Sequence, residues 1–360
     1  MANDTEVYLD LIKSTRNKVE KNVWTDLSFA GRSYTAMRNL MKQHKQSING
    51  GAVYQWQILT DNNGSAEAVG FWESDSLHHK DALVSATAEF RRVRGDYAYN
   101  KIYMRQNMGS DVQINNYMKQ QRHMMYSHLA EKMEDYVWGP GPLASTDTVT
   151  PYSIPWWIQK TTSKGAISVT DYGTASYPML YGLDPSGFAA GRGGVSSTTY
   201  PRWANLASNY TAISADDCID KLVGLMYLSK IRAPEPSNQY GDEGDVSGLY
   251  TNFAVWNEIR KMAQANNDNG GRDVAWMGGK QLMVNGVNVE VIDTLVNDSS
   301  DPIYGINWTW AGFKFLEGFS FVESEPKELA DNHLVLQGFI DAVYNLVFER
   351  LNNCFVLNVG

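Results

Sequence analysis

Cysteine is scarce in this sequence, and long apolar runs and a secretory signal are absent. Only Cys218 and Cys354 occur in 360 residues, so neither a disulfide framework nor a cysteine-based metal site is expected, and two buried free thiols are predicted. No stretch approaches the roughly 18 apolar residues that a membrane span needs. Residues 1–4 lack the basic and then apolar order of a signal peptide. These absences argue against a membrane or secreted protein and predict a cytosolic one.

Motifs for metal binding and for nucleophilic catalysis are also missing. His123 and His128 are five residues apart, whereas the zinc protease motif places two histidines four apart on one helix face. His78 and His79 have no cysteine or acidic residue at ligand spacing. No Gly-x-Ser-x-Gly elbow is present, and neither cysteine is flanked by a recognisable base. The sequence therefore predicts no metal site and no nucleophile.

Two glycine-rich segments resemble ligand-binding loops in composition, but each lacks residues that such a loop requires. Residues 191–194 read Gly-Arg-Gly-Gly, but the Lys-Ser or Lys-Thr pair of a phosphate-binding loop does not follow, so a backbone turn is the preferred interpretation. Residues 268–273 match a calcium loop only in composition, because the alternating oxygen ligands and the final Glu are missing. No cofactor is predicted from either segment.

The best enzyme hypothesis is an acidic cluster at residues 242–245, between Tyr240 and Tyr250. Glycoside hydrolases use paired carboxylates beside aromatic rings, so Asp242 and Glu243 define an alternative function, carbohydrate binding or glycoside hydrolysis. A glycine-containing acidic stretch is more often a solvated loop. We therefore predict no catalytic, cofactor-binding or metal-binding residue, and a protein that is not an enzyme.

Aromatic residues and an uneven charge distribution are what the sequence has in abundance. There are 11 Trp and 20 Tyr, and the net charge is −9. Residues 1–110 carry 14 basic and 12 acidic side chains, net +2, which leaves 17 basic and 28 acidic side chains, net −11, in the remainder. The length allows a core that buries about 75% of the unfolded surface. A folded acidic protein with a slightly basic first third is predicted.

The N-terminal 138 residues predict an arm, a hairpin and one long helix. Apolar residues at helical spacing predict an amphipathic helix at 5–24 and a weaker one at 33–46. Alternation from Tyr54 to Ile58, turn residues at 61–64 and a return strand at 84–91 predict a hairpin, followed by a strand at 97–105. Ser110 as N-cap and an apolar stripe predict a helix at 111–137, ending before Gly139. Its length of roughly 40 Å suits a structural spine.

The remaining chain mixes helices and strands, which favours an α+β fold over a doubly wound sheet. Residues 139–199 predict short strands and ordered loops, with Trp156 and Trp157 in a loop. Ser214 is expected to cap a helix that ends near residue 232, and a second helix contains Trp256 and ends at residue 266. Strands are predicted at 281–284, 287–292, 303–308, 313–321, 333–348 and 353–359.

The aromatic excess indicates contacts between subunits. Tyr54 and Trp56 on the hairpin, and Trp156 and Trp157, lie in segments that we expect one subunit cannot bury by itself. Tyr, Trp and Met are enriched in the cores of protein interfaces. We therefore assign these four side chains to subunit contacts.

The ordered series of arm, hairpin, spine and mixed region resembles the major capsid proteins of tailed bacteriophages, which have the Hong Kong 97-type fold. Local runs at the end of the spine and beyond it carry the resemblance: residues 134–139, 202–205, 214–217, 266–271, 273–277, 301–307 and 343–347. The resemblance implies an N-terminal arm at 1–49, an extended hairpin loop at 50–109, and the spine helix and peripheral domain at 110–199. It further implies an axial domain at 200–325 and C-terminal strands at 326–360 that return to the peripheral domain.

The same resemblance implies a self-assembling shell protein. The expected partners are other copies of the chain in hexamers and pentamers, a portal, a decoration protein, and packaged double-stranded DNA held by non-specific contacts, with no membrane. No charged coiled coil precedes the arm, so a separate scaffolding protein, or a segment already removed, is expected. Lys80 lies in the loop that carries a cross-linking lysine in some relatives, but no bond partner is identified and no bond is predicted. The implied location is the virion, after assembly in the bacterial host cytoplasm.

Overall fold

The computed structural model describes residues 34–60, 68, 70–72, 81–106, 111–160, 180–230, 246–265 and 282–360. Helices and strands are mixed along the chain, as an α+β fold requires. The described residues form the helices α1 (Met41–Gln43), α2 (Lys101–Gln106), α3 (Asp111–Trp138), α4 (Ile154–Trp157), α5 (Asp220–Ser229) and α6 (Phe253–Ala265). Two π-helical turns, Ala36–Leu40 and Ala215–Ile219, precede α1 and α5, and a 3₁₀ turn covers Asp293–Asn297.

The strands build three sheets. In chain order the strands are β1 (Lys45–Ile48), β2 (Val53–Leu59), β3 (Leu83–Glu89), β4 (Arg91–Asn100), β5 (Leu180–Tyr181), β6 (Leu206–Tyr210), β7 (Gly248–Thr251), β8 (Leu282–Val284), β9 (Val287–Val291), β10 (Ile303–Ile306), β11 (Ala311–Leu316), β12 (Val322–Glu323), β13 (Lys327–Leu329), β14 (Asn332–Phe348) and β15 (Phe355–Val359). One sheet has six strands in the order β1-β11-β14-β12, with β4 and β13 also paired to β14. A second has seven in the order β5-β6-β15-β10-β7-β9-β8, and β2 and β3 form the third.

Helix α3 confirms the predicted spine. It runs for 28 residues and buries the part of the expected stripe whose side chains are described, with Met125, Leu129 and Met133 at most 8% exposed. At its end, the backbone N–H of Gly139 donates to the carbonyl of Asp135 at 2.8 Å, and the proline that follows cannot extend the helix. Helix α3 contacts β4 along this stripe, so the spine helix is fixed to the six-stranded sheet.

A glycine in β4 allows this close approach. A Cβ built on Gly95 would lie 2.7 Å from Sδ of Met125, closer than carbon and sulfur can pack. The side chain of Met125 therefore occupies space that any residue but glycine would claim.

The seven-stranded sheet separates two hydrophobic clusters. One face, with Leu249 and Ile303, packs with Leu222 of α5 and Ile259 of α6. The other face, with Tyr250 and Tyr304, joins the large cluster that includes the end of α3. Both faces of this sheet are thus buried, as its largely apolar strands require.

The helix predicted after Ser214 is confirmed with its cap. The Ser214 hydroxyl accepts a hydrogen bond from the backbone N–H of Asp217 at 3.2 Å, which satisfies one of the free donors at a helix start. A π-helical turn follows, and α5 then ends at Ser229. Residue 232, where the helix was expected to end, is outside the described residues.

Several predicted boundaries are wrong; the strand predicted at 313–321, for example, ends at Leu316. Residues 101–106 form α2 and do not continue β4, because Asn100 Oδ1 accepts from the N–H of Ile102 at 2.8 Å and starts a helix there. Helix was expected to continue to residue 46, but it ends at Gln43, and β1 pairs in parallel with β11. The partner of β1 is more than 250 residues away in the chain, so local periodicity could not reveal it.

Trp156 and Trp157 lie in the core, and their prediction as loop residues at a subunit contact is wrong. They are 2% and 0% exposed and belong to α4, which Ser153 caps by accepting from the N–H of Trp156 at 3.2 Å. The indole of Trp157 donates to the carbonyl of Leu346 at 2.9 Å. A short capped helix thus places both rings against the end of β14.

The two C-terminal strands enter different sheets. β14 pairs with β4 and β11 in the six-stranded sheet, whereas β15 lies between β6 and β10 in the seven-stranded sheet. These pairings do not decide where the domain boundaries fall, and the boundaries remain a prediction. The helix predicted at residues 5–24 lies outside the described residues.

Candidate assembly interface

The inner face of the hairpin lies against its own subunit. Alternate residues along β2 are half-buried, and the ring of Trp56 lies 6.4 Å from the ring of Trp157 and 6.4 Å from that of Trp203. Tyr54 stacks on Trp56 at 5.5 Å. The assignment of Tyr54 and Trp56 to subunit contacts is therefore wrong, because these rings attach the root of the hairpin to its own body.

The glycine-rich run at residues 191–194 supports the hairpin root. The carbonyl of Gly193 accepts from the N–H of Thr87 at 2.9 Å, and Gly193 has a φ of +66°. A Cβ on Gly193 would lie 3.3 Å from the Cβ of Ala86. The predicted backbone turn is confirmed, and glycine is required here both for the positive φ and for the close contact with β3.

Arg192 is the centre of this support. Its side chain is fully buried and donates to the carbonyls of Trp157 at 2.6 Å and Gly182 at 2.9 Å, and to Oδ1 of Asn205 at 2.7 Å. Asp184 lies 3.6 Å from its Nε. Burial lowers the pKa of Arg192 to about 10, and the charge of Asp184 opposes this change. Because the protein encloses this side chain completely, Arg192 is committed to the fold and is not available to a phosphate.

A buried lysine joins the hairpin to the six-stranded sheet. Lys314 Nζ lies 2.6 Å from Oε1 of Glu349, and the lysine side chain is 3% exposed. The same Glu349 oxygen accepts from the hydroxyl of Tyr54 at 2.6 Å, and Lys314 also donates to Gln46 of β1. Burial and the hydrogen bond to Glu349 raise the pKa of Tyr54 above its ordinary value. The Lys314–Glu349 pair thus connects strands β1, β2 and β11 with the end of β14.

The outer half of the hairpin contrasts with its root. Leu59 and Leu83 face each other across the strands and are 65% and 57% exposed. Beyond them Phe71 and Trp72 are fully exposed. Fully exposed Phe-Trp pairs are uncommon on monomeric proteins and mark contact sites. The apolar surface that faces solvent on the hairpin is thus concentrated away from its root.

A cavity of about 410 Å³ lies beside the hairpin root. The end of β2 forms one wall, and Trp203, Trp310 and the segment that follows β14 form the rest. Two arginines, Arg202 and Arg350, are in its lining, and the guanidinium of Arg350 lies 5.8 Å from the centre of the Trp310 ring. The cavity is therefore aromatic and positively charged.

The first described residues of the arm attach to the spine helix. Oε2 of Glu134 accepts from the N–H of Ala36 at 2.8 Å, and the hydroxyl of Tyr34 donates to Glu131 at 3.4 Å. Glu134 is 4% exposed. Burial raises its pKa to about 7 against the effect of its hydrogen bonds to the backbone of Ala36 and Thr35. A carboxyl group on α3 thus caps the helical turn Ala36–Leu40, which lies within the predicted arm.

Comparison with solved structures identifies the fold of the chain. No family model and no curated protein match the chain. The capsid of the Myoviridae phage XM1 matches with a TM-score of 0.56 and 10% identity, covering 96% of this chain and 97% of that chain. A chain of the cyanophage A-1(L) capsid asymmetric unit matches at 0.58 and 11%, covering 93% and 96%. The chain has the Hong Kong 97-type capsid fold. The capsid of a native GTA particle agrees, at a TM-score of 0.56 and 11% identity over 96% and 98% of the two chains.

Within this Hong Kong 97-type fold, the residues considered for chemistry are scattered or buried. His123 is half-buried and His128 is exposed, both on the spine helix. Tyr250 is 4% exposed and accepts from the indole of Trp308 at 2.8 Å, so it cannot serve as a platform for a sugar ring. Cys218 and Cys354 are buried free thiols, as predicted. Residues 78–80, 240–245 and 268–273 lie outside the described residues.

The described part of the chain has neither a membrane-spanning helix nor a metal-binding cluster. In that part, no helix has the length and apolar character to cross a bilayer. Across the same residues, no group of three or more His, Cys, Asp or Glu side chains is arranged to hold a metal ion. The features that remain for an interface are the exposed outer hairpin, the arginine-lined cavity and the arm attachment.

Proposed function

We propose that this chain is the major capsid protein of a tailed bacteriophage and assembles into the icosahedral shell that encloses double-stranded DNA. The observation that carries the proposal is the whole-chain match to phage capsid subunits, which leaves almost no part of either chain uncovered. The role is structural and does not include catalysis.

The exposed outer hairpin supports assembly from many copies. A subunit that attaches the root of a hairpin firmly and exposes Leu59, Leu83, Phe71 and Trp72 holds an apolar surface away from its own core. Stable interfaces between permanent partners bury roughly 2,000 Å² or more and are rich in aromatic residues. Neighbouring subunits in hexamers and pentamers would cover this surface.

The charge distribution fits a container for DNA. The slightly basic first 110 residues and the acidic remainder allow weak, non-specific contact with phosphates. A strongly basic lining would bind DNA tightly and with a steep salt dependence. The proposed partners are therefore packaged DNA, a separate scaffolding protein, a portal and a decoration protein, with assembly in the host cytoplasm and residence in the virion.

Particle formation tests the proposal. The purified protein, alone and coexpressed with a scaffolding protein from the same virus, is examined by electron microscopy and sedimentation velocity. We expect closed shells or ring-shaped capsomers in at least one condition. A protein that stays monomeric in both conditions contradicts the proposal.

A further inference from the structure

One surface of the subunit is basic and has no acidic side chain. It is formed by the exposed residues of the helical turns at 36–43 and of β1, and we call it the arm face: Arg38, Asn39, Lys42, Gln43, Lys45 and Gln46. The opposite side of these turns is buried, with Ala36, Leu40 and Met41 at most 4% exposed. Residues 27–60 contain four basic residues and no Asp or Glu, in a chain whose net charge is −9.

The cations of the arm face have no carboxylate partner in the described part of the chain. Arg38 and Lys42 are four residues apart, so their side chains are neighbours on one side of the turns. Lys45 donates to the hydroxyl of Ser320 at 2.5 Å, and its Nζ lies 5.2 Å from the centre of the Phe315 ring. None of the ion pairs between described residues includes any of the three. Three positive charges therefore face the solvent.

The arm face is fixed to the body of the subunit. Glu134 of the spine helix accepts from the N–H of Ala36 at 2.8 Å, and the ring of His44 stacks on that of Trp308 at 4.4 Å. Strand β1 pairs with β11 at four positions. A surface that is already held in place binds a partner without the entropy cost of ordering its backbone.

From these observations we propose that the arm face binds the phosphate backbone of double-stranded DNA and lies on the inner side of the shell. The inference rests on the proposed function and identifies the surface of the subunit that packaged DNA contacts. Most hydrogen bonds from proteins to DNA go to phosphate and sugar oxygens, and Arg, Lys, Asn and Gln side chains donate many of them. These are the residue types that the arm face exposes.

The composition of the arm face favours DNA over a protein partner. Stable protein interfaces are centred on apolar and aromatic side chains, but no large apolar side chain of residues 34–52 is exposed. Interfaces with DNA are more polar and more positively charged than interfaces between proteins. An acidic scaffolding protein would find charge here but no apolar residue to bury.

The number of charges predicts a weak contact for each subunit. Every phosphate that is neutralised on duplex DNA contributes about −0.9 to the slope of log K against log salt concentration, so three contacts give a slope of about −2.7. One such contact is broken easily when DNA moves. Many copies around a shell nevertheless hold DNA near the inner surface, because the contacts act together.

DNA binding at different salt concentrations tests the inference. The double variant Arg38→Gln with Lys42→Gln removes two charges and keeps polar side chains. The control Lys261→Gln with Lys327→Gln removes the same charge from two exposed lysines outside the arm face, each within three residues of a Glu. Fluorescence anisotropy of a short labelled DNA duplex measures binding to the purified protein before assembly.

We expect the double variant to reduce the magnitude of the slope by about 1.8 and the control to leave it unchanged. A native slope in the double variant overturns the inference, and so does an equal reduction in the control. Shells that still form then leave the proposed function intact. If the unaltered protein forms no shells or capsomers, the proposed function fails, and the inference fails with it.

A second measurement tests the inward orientation of the arm face. DNA-filled particles are treated with formaldehyde, which links lysine to DNA, and the linked peptides are identified by mass spectrometry. We expect links at Lys42 roughly tenfold more often than at Lys261 or Lys327, because a lysine beside phosphates stays close to DNA. Equal linking at the three lysines contradicts the inference. A double variant that binds DNA normally but no longer assembles with the scaffolding protein would assign the arm face to a protein partner and would also overturn it.

Discussion

Glu134 is a buried acid at the junction of the arm and the spine. Its hydrogen bonds to backbone N–H groups lower its pKa, but burial outweighs them, and Asp293 of the 3₁₀ turn and Asp135 of its own helix add repulsion. Its pKa is therefore about 7, against an ordinary value of 4.5. The folded chain holds this proton between those two pH values, whereas the unfolded chain has lost it.

The sign of the pH effect follows from this difference. The stability that Glu134 contributes is complete below about pH 4.5 and is lost as the pH rises through 7. We predict that the free energy of unfolding of the native protein, relative to Glu134→Gln, falls over this interval by at most about 1.4 kcal/mol per pH unit. Urea unfolding followed by tryptophan fluorescence measures both proteins. A difference that is constant from pH 5 to 8 contradicts the prediction.

Arg192 gives a second prediction for a single residue. Arg192→Met removes the donor to the carbonyls of Trp157 and Gly182 and leaves the Asp184 carboxylate without its cation. We expect a loss of about 3–5 kcal/mol in the free energy of unfolding. The matched control is Arg92→Met, because Arg92 pairs with Asp341 but is 60% exposed and should lose less than about 1 kcal/mol. Equal losses would show that Arg192 does not hold the hairpin support together.

The sequence could not predict the role of Arg192. Its glycine neighbours are recognisable as a turn, but its acceptors come from three separate segments that only the folded chain brings together. The same limit applies to Trp156 and Trp157. Their composition suggested a loop, and only the cap by Ser153 and the bond to Leu346 fix them in the core. Neighbouring residues in the sequence therefore predict turns well, but they do not predict hydrogen bonds between distant segments.

At the scale of elements, the helices and strands that were predicted correctly are those that a local sequence pattern specifies. The apolar stripe of α3, the capping serine of α5 and the alternation of β2 are each readable within a few turns or residues. Elements fixed by distant partners are less readable. β1 depends on β11, and β4 ends where Asn100 begins a helix. The candidate cavity is formed by segments far apart in sequence, so no sequence motif predicts it.

The hairpin gives a prediction about one element. Residues 61–80 are replaced by two glycines, which leaves the seven β2–β3 pairs intact. We expect a soluble, folded subunit that forms no closed shell, because the root contacts with Trp203, Gly193 and Glu349 remain while the exposed aromatic pair is lost. Circular dichroism and sedimentation velocity measure folding and assembly.

Two outcomes would contradict this placement of the hairpin. Insoluble protein would mean that residues 61–80 belong to the core of their own subunit. Normal shells would mean that the outer hairpin makes no essential contact. The unaltered protein, purified in parallel, is the control for both measurements.

At the scale of the whole molecule, the order of arm, hairpin, spine and mixed region allowed the fold to be recognised at 10–11% identity to solved capsid chains. Few side chains are shared at that identity, and the recognition depended on elements with a local signal, such as the alternation of β2 and the apolar stripe of α3. The interface is less predictable. The indoles of Trp56, Trp156 and Trp157 were expected at subunit contacts, yet they pack within the subunit. Trp72, which was not singled out, is fully exposed.

The long strand β14 has a mechanical consequence. It spans 17 residues and pairs with β4 at ten positions on one edge and with β11 at five on the other. A force along β14 must shear many hydrogen bonds at the same moment, whereas the hairpin sheet consists of the seven β2–β3 pairs alone. The six-stranded sheet is therefore stiffer along β14 than the two-stranded hairpin is along β2.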